Sequence, residues 1–222
     1  MLEAGHEKPE VRYCDVWVLK RVFDGTCAFL GLLVLSPVLG LVALLVKLSD
    51  GGPVLYRGLR TGLNGRQFRI CKFRSMVVDA EKTGVTATAD DDPRVTRIGR
   101  FLRKYKLDEL PQLVNVLVGE MSLVGPRPEV PQYTALFTRQ EQAILSVRPG
   151  ITDWATLWDI AEGAVLAGSD NPEQAYLEKI RPEKIRLQLK YVRERSFGVD
   201  VRILALTLWA LVARRRRQGR QR

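Results

Sequence analysis

Residues 27–46 form an uncharged, strongly apolar stretch of 20 residues. An apolar helix of roughly 20 residues can span a hydrocarbon core about 30 Å thick, so the stretch is long enough to cross a membrane. Pro37 lies in its middle, lacks a backbone donor, crowds the carbonyl four residues back and disfavours helical torsions at Ser36. We therefore expect a break or sharp kink at Ser36 and Pro37, with each half, about 15 Å long, reaching only the bilayer midplane. The Ser36 hydroxyl is a candidate partner for the backbone group freed there.

Basic residues flank this stretch on both sides. Lys20 and Arg21 precede it, and Lys47, Arg57 and further basic residues follow it. The positive-inside tendency places both flanks on the cytoplasmic side, which a re-entrant hairpin satisfies and a single span does not. An ordinary transmembrane helix with a tolerated proline kink remains the alternative. A signal peptide is disfavoured because the stretch starts late and has no small-x-small cleavage site close behind it.

The overall charge indicates anionic partners. The 222 residues suit one domain of moderate size, and 35 Lys+Arg against 25 Asp+Glu give a formal net charge of +10. Nucleic acid, anionic lipid or a phosphorylated substrate could each match this charge, and the apolar stretch favours an anionic phospholipid membrane. Cys14, Cys27 and Cys71 show no CxxC spacing, which argues against a zinc site or a disulfide framework.

A single histidine, His6, narrows the possible chemistry. Ser-His-Asp and Cys-His nucleophile schemes and histidine-rich metal sites have almost no residues from which to be built. Catalysis by this chain would have to use carboxylates, arginines and a hard cation.

The sequence pattern predicts a mixed α/β fold, mainly helical, with a small β-hairpin around the turn dipeptide Asn64-Gly65. A basic amphipathic helix follows from about residue 94. Near the C-terminus the apolar residues 203–212 are too few to span a bilayer, and they suit an interfacial helix or an ordinary core helix. A division follows from these elements: residues 1–50 as membrane segment, 51–198 as cytoplasmic catalytic domain, and 199–222 as interfacial helix with a basic tail.

Two adjacent carboxylates, Asp108 and Glu109, are the best candidates for chemistry. Pro111 suits the first turn of a helix, so both acids are predicted at or just before a helix N-terminus. Such a pair is in most proteins a solvated face or a cap. Here, however, Arg103 lies nearby, Arg127 is flanked by two prolines, and Arg148 lies in another proline-containing turn. Carboxylates with arginines are natural equipment for phosphoryl transfer assisted by Mg²⁺, whose preferred ligands are oxygens.

Several segments resemble, in order, the bacterial sugar transferase family, the monotopic phosphoglycosyl transferases. The resemblance covers roughly residues 15–212, and the sequence looks like the small, minimal form, because the multi-span N-terminal region of larger relatives is missing. The segments "LDELPQ" and "GPRP" are highly specific when they occur together. The segments that carry the resemblance are "KRVFDG", the Ser-Pro-interrupted apolar stretch, "GGPVLYR", "FRICKFRSM", "LDELPQLVNVLVGEMSLVGPRP" and "RPGIT".

This resemblance implies transfer of a phosphosugar from a UDP-sugar to polyprenol (undecaprenyl) phosphate, with release of UMP. That reaction is the first membrane step of glycoconjugate biosynthesis, at the cytoplasmic face of the bacterial inner membrane. By motif, Asp108 would be the nucleophile of a covalent aspartyl phosphosugar intermediate, and Asp108 and Glu109 would hold Mg²⁺. Arg103 and Arg127 would bind the substrate phosphates, with Arg148 as a further candidate. The family's re-entrant membrane helix is broken at the Ser-Pro pair, here Ser36 and Pro37.

The sequence also departs from the family. Asp153 stands where many relatives carry glycine, and residues 164–174 follow no pattern that we can assign. The region 153–178, whose role stays open, could shape the sugar pocket. The transferred sugar, the polyprenol length, the glycan pathway and the oligomeric state, a dimer included, stay open. A non-enzymatic adaptor that binds anionic lipid is the rival interpretation, but it leaves the carboxylate pair and Arg127 unexplained. Nucleic-acid binding is not expected, because no stacking-aromatic motif accompanies the basic residues.

Overall fold

The computed structural model describes residues 11–80, 88, 91–158 and 171–219. The expectations for residues 159–170 and for the two chain ends, His6 included, lie outside these ranges. The described part is mainly helical with three small two-stranded sheets, which agrees with the predicted fold class. Its helices are α1 (Val11–Asp50), α2 (Arg97–Lys104), α3 (Gln112–Val118), α4 (Pro131–Thr134), α5 (Trp154–Trp158), α6 (Pro172–Ala175), α7 (Arg181–Glu194) and α8 (Phe197–Gly219). Its strands are β1 (Leu55–Tyr56), β2 (Leu59–Thr61), β3 (Gln67–Arg69), β4 (Lys72–Phe73), β5 (Ser122–Val124) and β6 (Gly150–Thr152).

Helix α1 contains the whole apolar stretch. The segment Val18–Asp50 is long and apolar enough to cross a membrane, by length and composition. Of the predicted break or sharp kink, a full break is absent from α1, which is helical on both sides of Pro37 and through it. The missing amide of Pro37 would have bonded the carbonyl of Leu33, four residues earlier, and the Ser36 hydroxyl donates to that oxygen at 2.8 Å. The predicted role of Ser36 is therefore confirmed, and it explains why the helix continues.

Both ends of α1 pack against the same body of the protein. Ala28 lies in a buried cluster with Val116 of α3, and Val46 lies in another with Phe73 of β4. Between these two contacts the helix presents apolar side chains outward, and Val34 is 74% exposed. The central part of α1 thus offers an apolar surface, while its two flanking parts are anchored.

Two antiparallel ladders follow α1. Strands β2 and β3 pair around the predicted hairpin, with Asn64 at φ 54° and Gly65 at φ 75° in the left-handed region that this turn requires. Strands β1 and β4 pair outside them, which the sequence pattern did not reveal. The prediction of a small hairpin is confirmed, and the second ladder brings Lys72 beside the later helices.

The parallel pair β5 and β6 brings two distant segments together. Because parallel strands end at the same edge, the residues after β5, which lead to Arg127, lie beside Asp153, which follows β6. The backbones approach closely here: a Cβ on Gly150 would lie 2.0 Å from the amide nitrogen of Gly125. Glycine at position 150 is therefore a steric requirement of this pairing.

A buried polar cluster ties α1 to the C-terminal helices. Lys20 Nζ donates to Asp200 Oδ2 at 2.6 Å, and the Tyr191 hydroxyl donates to Asp200 Oδ1 at 2.7 Å. The Ser122 hydroxyl donates to Asp24 Oδ2 at 2.7 Å. These contacts join α1, β5, α7 and α8. The predicted apolar segment 203–212 lies inside the longer α8, with Ile203 buried and Leu208 and Trp209 exposed.

Candidate active site

A tight reversal of the chain presents the two acids. After α2 ends, Lys106 adopts a left-handed conformation (φ 56°), and Leu107–Glu109 form a single 3₁₀ turn. Pro111 then caps α3. The expected position of Asp108 and Glu109, just before a helix N-terminus, is confirmed. A left-handed lysine is uncommon, and strained residues of this kind tend to cluster at functional sites.

Glu109 is enclosed by cations. Its Oε1 accepts from Lys72 Nζ at 2.9 Å and from Arg127 Nη2 at 2.6 Å, and its Oε2 accepts from Arg127 Nη1 at 3.3 Å. Burial alone would raise the pKa of Glu109, but Arg127 and Lys72 outweigh it and hold this pKa well below its usual range. Glu109 is thus a fixed anion that orients a lysine and an arginine.

Asp108 has the opposite environment. Its side chain is buried, and its Oδ1 has no hydrogen-bond partner among the residues that the structure describes. Desolvation raises the pKa of Asp108, and the adjacent Glu109 raises it further, while the charges of Lys72, Lys106 and Arg103 oppose the rise. A carboxylate oxygen without a partner, surrounded by cations, is poised to meet an electrophile or a metal ion.

Lys72 is the functional residue that sequence reasoning missed. It lies on β4 between the buried residues Cys71 and Phe73, so its side chain points to the opposite face of the strand, toward Glu109. Burial lowers the pKa of Lys72, and Glu109 opposes that effect. A lysine placed between two buried residues of a short strand was the only signal, and nothing local in the sequence linked it to an acid 37 positions away.

The three predicted arginines have different positions. Arg127 joins the carboxylate pair directly. Arg103, in the last turn of α2, is close enough for its charge to act on Asp108. Arg148 does not join them: its Nε donates to the carbonyl of Gly119 at 3.0 Å, beyond the C-terminal end of α3. This bond satisfies one carbonyl at that helix end, the part of a helix that attracts cations, and the phosphate-binding role that the resemblance implies for Arg148 stays a prediction.

The carboxylates suit a metal ion that arrives with the substrate. Among the described residues no group of three His, Cys, Asp or Glu side chains could form a protein cage for a metal. Both Glu109 oxygens already accept from cations, which leaves the Asp108 Oδ1 as the available ligand. Mg²⁺ is commonly held by one or two carboxylates together with waters and substrate phosphates, so this donor set fits Mg²⁺ in that mode.

A small open groove lies beside Arg127. Its walls come from the β2–β3 hairpin, the segment around Arg127 and the residues leading to β6. Phe137 supplies an aromatic surface, and Thr61 and Glu129 supply polar atoms.

Three relatives illustrate the similarity of this chain to known proteins. It is 43% identical to the undecaprenyl-phosphate glucose phosphotransferase of Komagataeibacter xylinus, over 85% of this chain and 35% of that protein. It is 37% identical to the UDP-N-acetylgalactosamine-undecaprenyl-phosphate N-acetylgalactosaminephosphotransferase of Aeromonas hydrophila, over 86% of this chain and 43% of that protein. The chain therefore spans less than half the length of these two relatives. It is also 37% identical to the sugar transferase EpsL of Bacillus subtilis (strain 168), over 86% of both chains.

The sequence profile described as bacterial sugar transferase matches residues 16–214, which include every residue of the site described above. This match covers most of the chain and confirms the resemblance seen in its motifs. The chain belongs to the bacterial sugar transferase family.

Proposed function

We propose that this protein is a UDP-sugar:undecaprenyl-phosphate sugar-1-phosphate transferase that initiates polysaccharide biosynthesis. The observation that carries the proposal is the Asp108 Oδ1, a buried carboxylate oxygen without a described partner, next to Glu109, which binds the cations Lys72 and Arg127. The names of the two relatives with known sugars support the substrate class. Because those names specify different sugars, the transferred sugar is not assigned.

In the first half-reaction an Asp108 oxygen attacks the phosphorus that bears the sugar. The bond between that phosphorus and the bridging oxygen breaks, and the electron pair leaves with UMP. The product is a phosphosugar bound to Asp108 as an acyl phosphate. In the second half-reaction an oxygen of polyprenol phosphate attacks the same phosphorus and releases the Asp108 carboxylate, which leaves the sugar diphosphate on the lipid.

Cations reduce the electrostatic repulsion between the Asp108 carboxylate and the diphosphate of the substrate. A carboxylate is repelled by a diphosphate until positive charge neutralises the phosphate oxygens. Arg127 and Lys72, held in place by Glu109, would bind these oxygens, and Arg103 adds charge from α2. Mg²⁺, when bound through Asp108 and the diphosphate, would supply further charge neutralisation.

The proposed membrane topology is monotopic. The two flanks of α1 pack on one body, around Val116 and Phe73, which supports a path that enters the cytoplasmic leaflet and returns, with its bend at Pro37. The exposed apolar side of α8, which carries Trp209, would lie in the interface of the bacterial inner membrane. Residues 51–198 would then form the catalytic domain on the cytoplasmic face.

One experiment tests both the reaction and its route. The purified full chain is incubated with a panel of UDP-sugars, with and without polyprenol phosphate, and UMP release and intact protein mass are measured. We expect UMP release with at least one sugar, and a phosphosugar mass on the protein before the lipid is added. Turnover by an adduct-free enzyme with sequential kinetics would instead mean direct attack by the lipid phosphate. A folded protein inactive with every UDP-sugar would favour the lipid-binding adaptor.

A further inference from the structure

We propose that one face of helix α7 positions Arg127, and that Lys184 and Gln188 are therefore positioning residues of the active site. The inference rests on the proposed function, because it assigns to these residues the accurate placement of a phosphate-binding guanidinium. Neither residue contacts the carboxylate pair. They act on the segment 124–129, which carries Arg127.

Three polar side chains of α7 contact this segment in order. The Tyr191 hydroxyl, whose single proton is directed to Asp200 Oδ1 at 2.7 Å, lies 3.1 Å from the carbonyl oxygen of Val124. Gln188 Nε2 donates to the carbonyl of Arg127 at 3.4 Å, and Lys184 Nζ pairs with Glu129 Oε1 at 2.7 Å. The spacing of 184, 188 and 191 places all three on one face of the helix. α7 thus lies antiparallel along the segment and contacts its beginning, its middle and its end.

These side chains are buried, so loss of a hydrogen-bonding partner would be costly for them. Lys184 is 5% exposed and Gln188 is fully buried. An ammonium in such a place is tolerated only when it is paired and hydrogen-bonded, and Lys184 Nζ also donates to the Tyr176 hydroxyl at 3.1 Å. Glu129 is held from the other side as well, because the Thr61 amide donates to its carbonyl at 2.9 Å. The end of the segment is therefore fixed between the β-hairpin and α7.

Arg127 lies between these fixed points. Pro126 and Pro128 restrict the backbone on both sides of it, so the orientation of the guanidinium follows from where the segment is anchored. Its two hydrogen bonds to Glu109 need a defined approach, because a bidentate arginine–carboxylate pair tolerates little rotation. Loss of an α7 contact should therefore displace the Arg127 guanidinium from its position against Glu109.

A double-mutant cycle tests this dependence. Lys184→Met is made in the wild-type chain and in Arg127→Met, and kcat/KM is measured for the UDP-sugar that the wild type uses. In the wild-type background we expect a loss of about ten- to a hundredfold, the size of effect that a displacement of about 1 Å can produce. In the Arg127→Met background the same change should cost less than about twofold, because its target is already gone. If Arg127→Met has no measurable turnover, the same cycle is measured as Kd for UDP.

Matched variants separate positioning from general stability. Lys179→Met makes the same chemical change at an exposed lysine and should leave kcat/KM unaltered. Lys184→Arg keeps a cation for Glu129 and should restore part of the loss. If Lys184→Met does not fold, Lys184→Gln, which retains a donor, takes its place. Equal losses in both Arg127 backgrounds, or no loss in the wild-type background, would overturn the positioning role while the transferase assignment stands. A folded wild type that releases no UMP from any UDP-sugar would overturn both.

Discussion

Two buried aspartates of this protein, Asp24 and Asp108, have opposite environments. Asp24, on α1, accepts hydrogen bonds from the Ser122 hydroxyl and the Leu123 amide and lies 3.9 Å from Lys20 Nζ. Asp108 is similarly buried, yet its Oδ1 has no partner among the described residues. One carboxylate is used to join elements of the fold. The other is kept available.

The difference distinguishes a structural carboxylate from a reactive one. A buried polar atom without a hydrogen bond costs about 1 to 3 kcal/mol, and more for a charged group. Folding alone would favour giving Asp108 a donor, as it does for Asp24. Asp153 Oδ2 also lacks a partner among the described residues, so this lack alone does not assign a role. At Asp108 the adjacent Glu109, with its bound Lys72 and Arg127, makes a substrate or a metal ion the expected partner.

The same substitution at the two aspartates should have opposite consequences, and the largest effect is expected at Asp108. Asp108→Asn should lower turnover by about 10⁴-fold or more, because it removes the attacking oxygen anion while keeping the shape of the side chain. Burial raises the pKa of Asp108 above its ordinary value of 3.8, so the ionised carboxylate lowers the stability of the folded state at pH values above 3.8. The variant should therefore unfold at the same temperature as the wild type or a higher one at pH 7. Substantial turnover by this variant would refute the nucleophile assignment.

Glu109→Gln should reduce kcat/KM by about a hundredfold, because Arg127 and Lys72 lose the anion that orients them. Steady-state kinetics over a range of Mg²⁺ concentrations measure this effect. We expect higher Mg²⁺ to restore part of the activity of Glu109→Gln and none of the activity of Asp108→Asn. A variant as active as the wild type would show that the ion pairs serve stability alone.

Asp24→Asn should lower the free energy of unfolding by about 1 to 2 kcal/mol, because an amide cannot accept from both Ser122 and Leu123 and leaves one buried donor unpaired. Burial also disfavours the ionised Asp24 carboxylate, which offsets part of this loss. Turnover per folded molecule should stay within about twofold of the wild type, because Asp24 contacts no residue of the carboxylate pair. Thermal unfolding in detergent and kinetics on the folded fraction measure the two quantities. Loss of turnover without loss of stability would mean that Asp24, like Asp108, serves catalysis and not the fold.

A subtler effect concerns pH. The raised pKa of Asp108 means that its proton leaves at a higher pH than that of an ordinary aspartate. Activity should therefore fall as the pH is lowered, and the acid limb of kcat/KM should have its midpoint above 3.8. Lys72→Met should move that midpoint to higher pH, since the Lys72 charge opposes the rise. A profile that stays flat to pH 4 would argue against an ionised Asp108 as the attacking group.

The smallest effect is expected in α1. Ser36→Ala removes the donor to Leu33, whose carbonyl has lost its usual helical partner to Pro37, and should cost about 1 kcal/mol. Ser49→Ala is the matched control: Ser49 makes the same kind of bond to Val46 at 2.7 Å, but that carbonyl also has a backbone donor in the helix. Unfolding temperatures in detergent compare the two variants. Equal shifts would mean that Ser36 has no special role beside the proline.

Local sequence features predicted the parts of the fold that local chemistry decides. Asn64-Gly65 fixed a hairpin because its two residues readily take left-handed torsions. Pro111 located the start of α3 and hence the position of Asp108. A full break at Pro37 did not occur, since α1 is continuous there and the Ser36 hydroxyl donates to the carbonyl that the proline leaves without its helical donor.

Long-range pairings account for what the sequence did not reveal. Lys72 reaches Glu109 only because β4 pairs with β1 and faces the turn after α2, and no local pattern encodes that contact. Arg148, a further phosphate-ligand candidate from the resemblance, donates to a carbonyl at the end of α3, a contact between distant segments that no local pattern predicts. The parallel pairing of β5 and β6, which sets Arg127 beside Asp153, is also non-local.

The continuity of α1 has a consequence for how the enzyme would meet its lipid. Neither flank of α1 can move along the membrane normal without moving the body of the protein, because one flank packs near Val116 and the other near Phe73. On the proposed re-entrant path, Asp108 is then held at a constant height above the bilayer surface. The phosphate of polyprenol phosphate also lies at a defined depth in the membrane interface. Changes in bilayer thickness or headgroup packing that shift this depth relative to Asp108 would therefore change the rate of the second half-reaction.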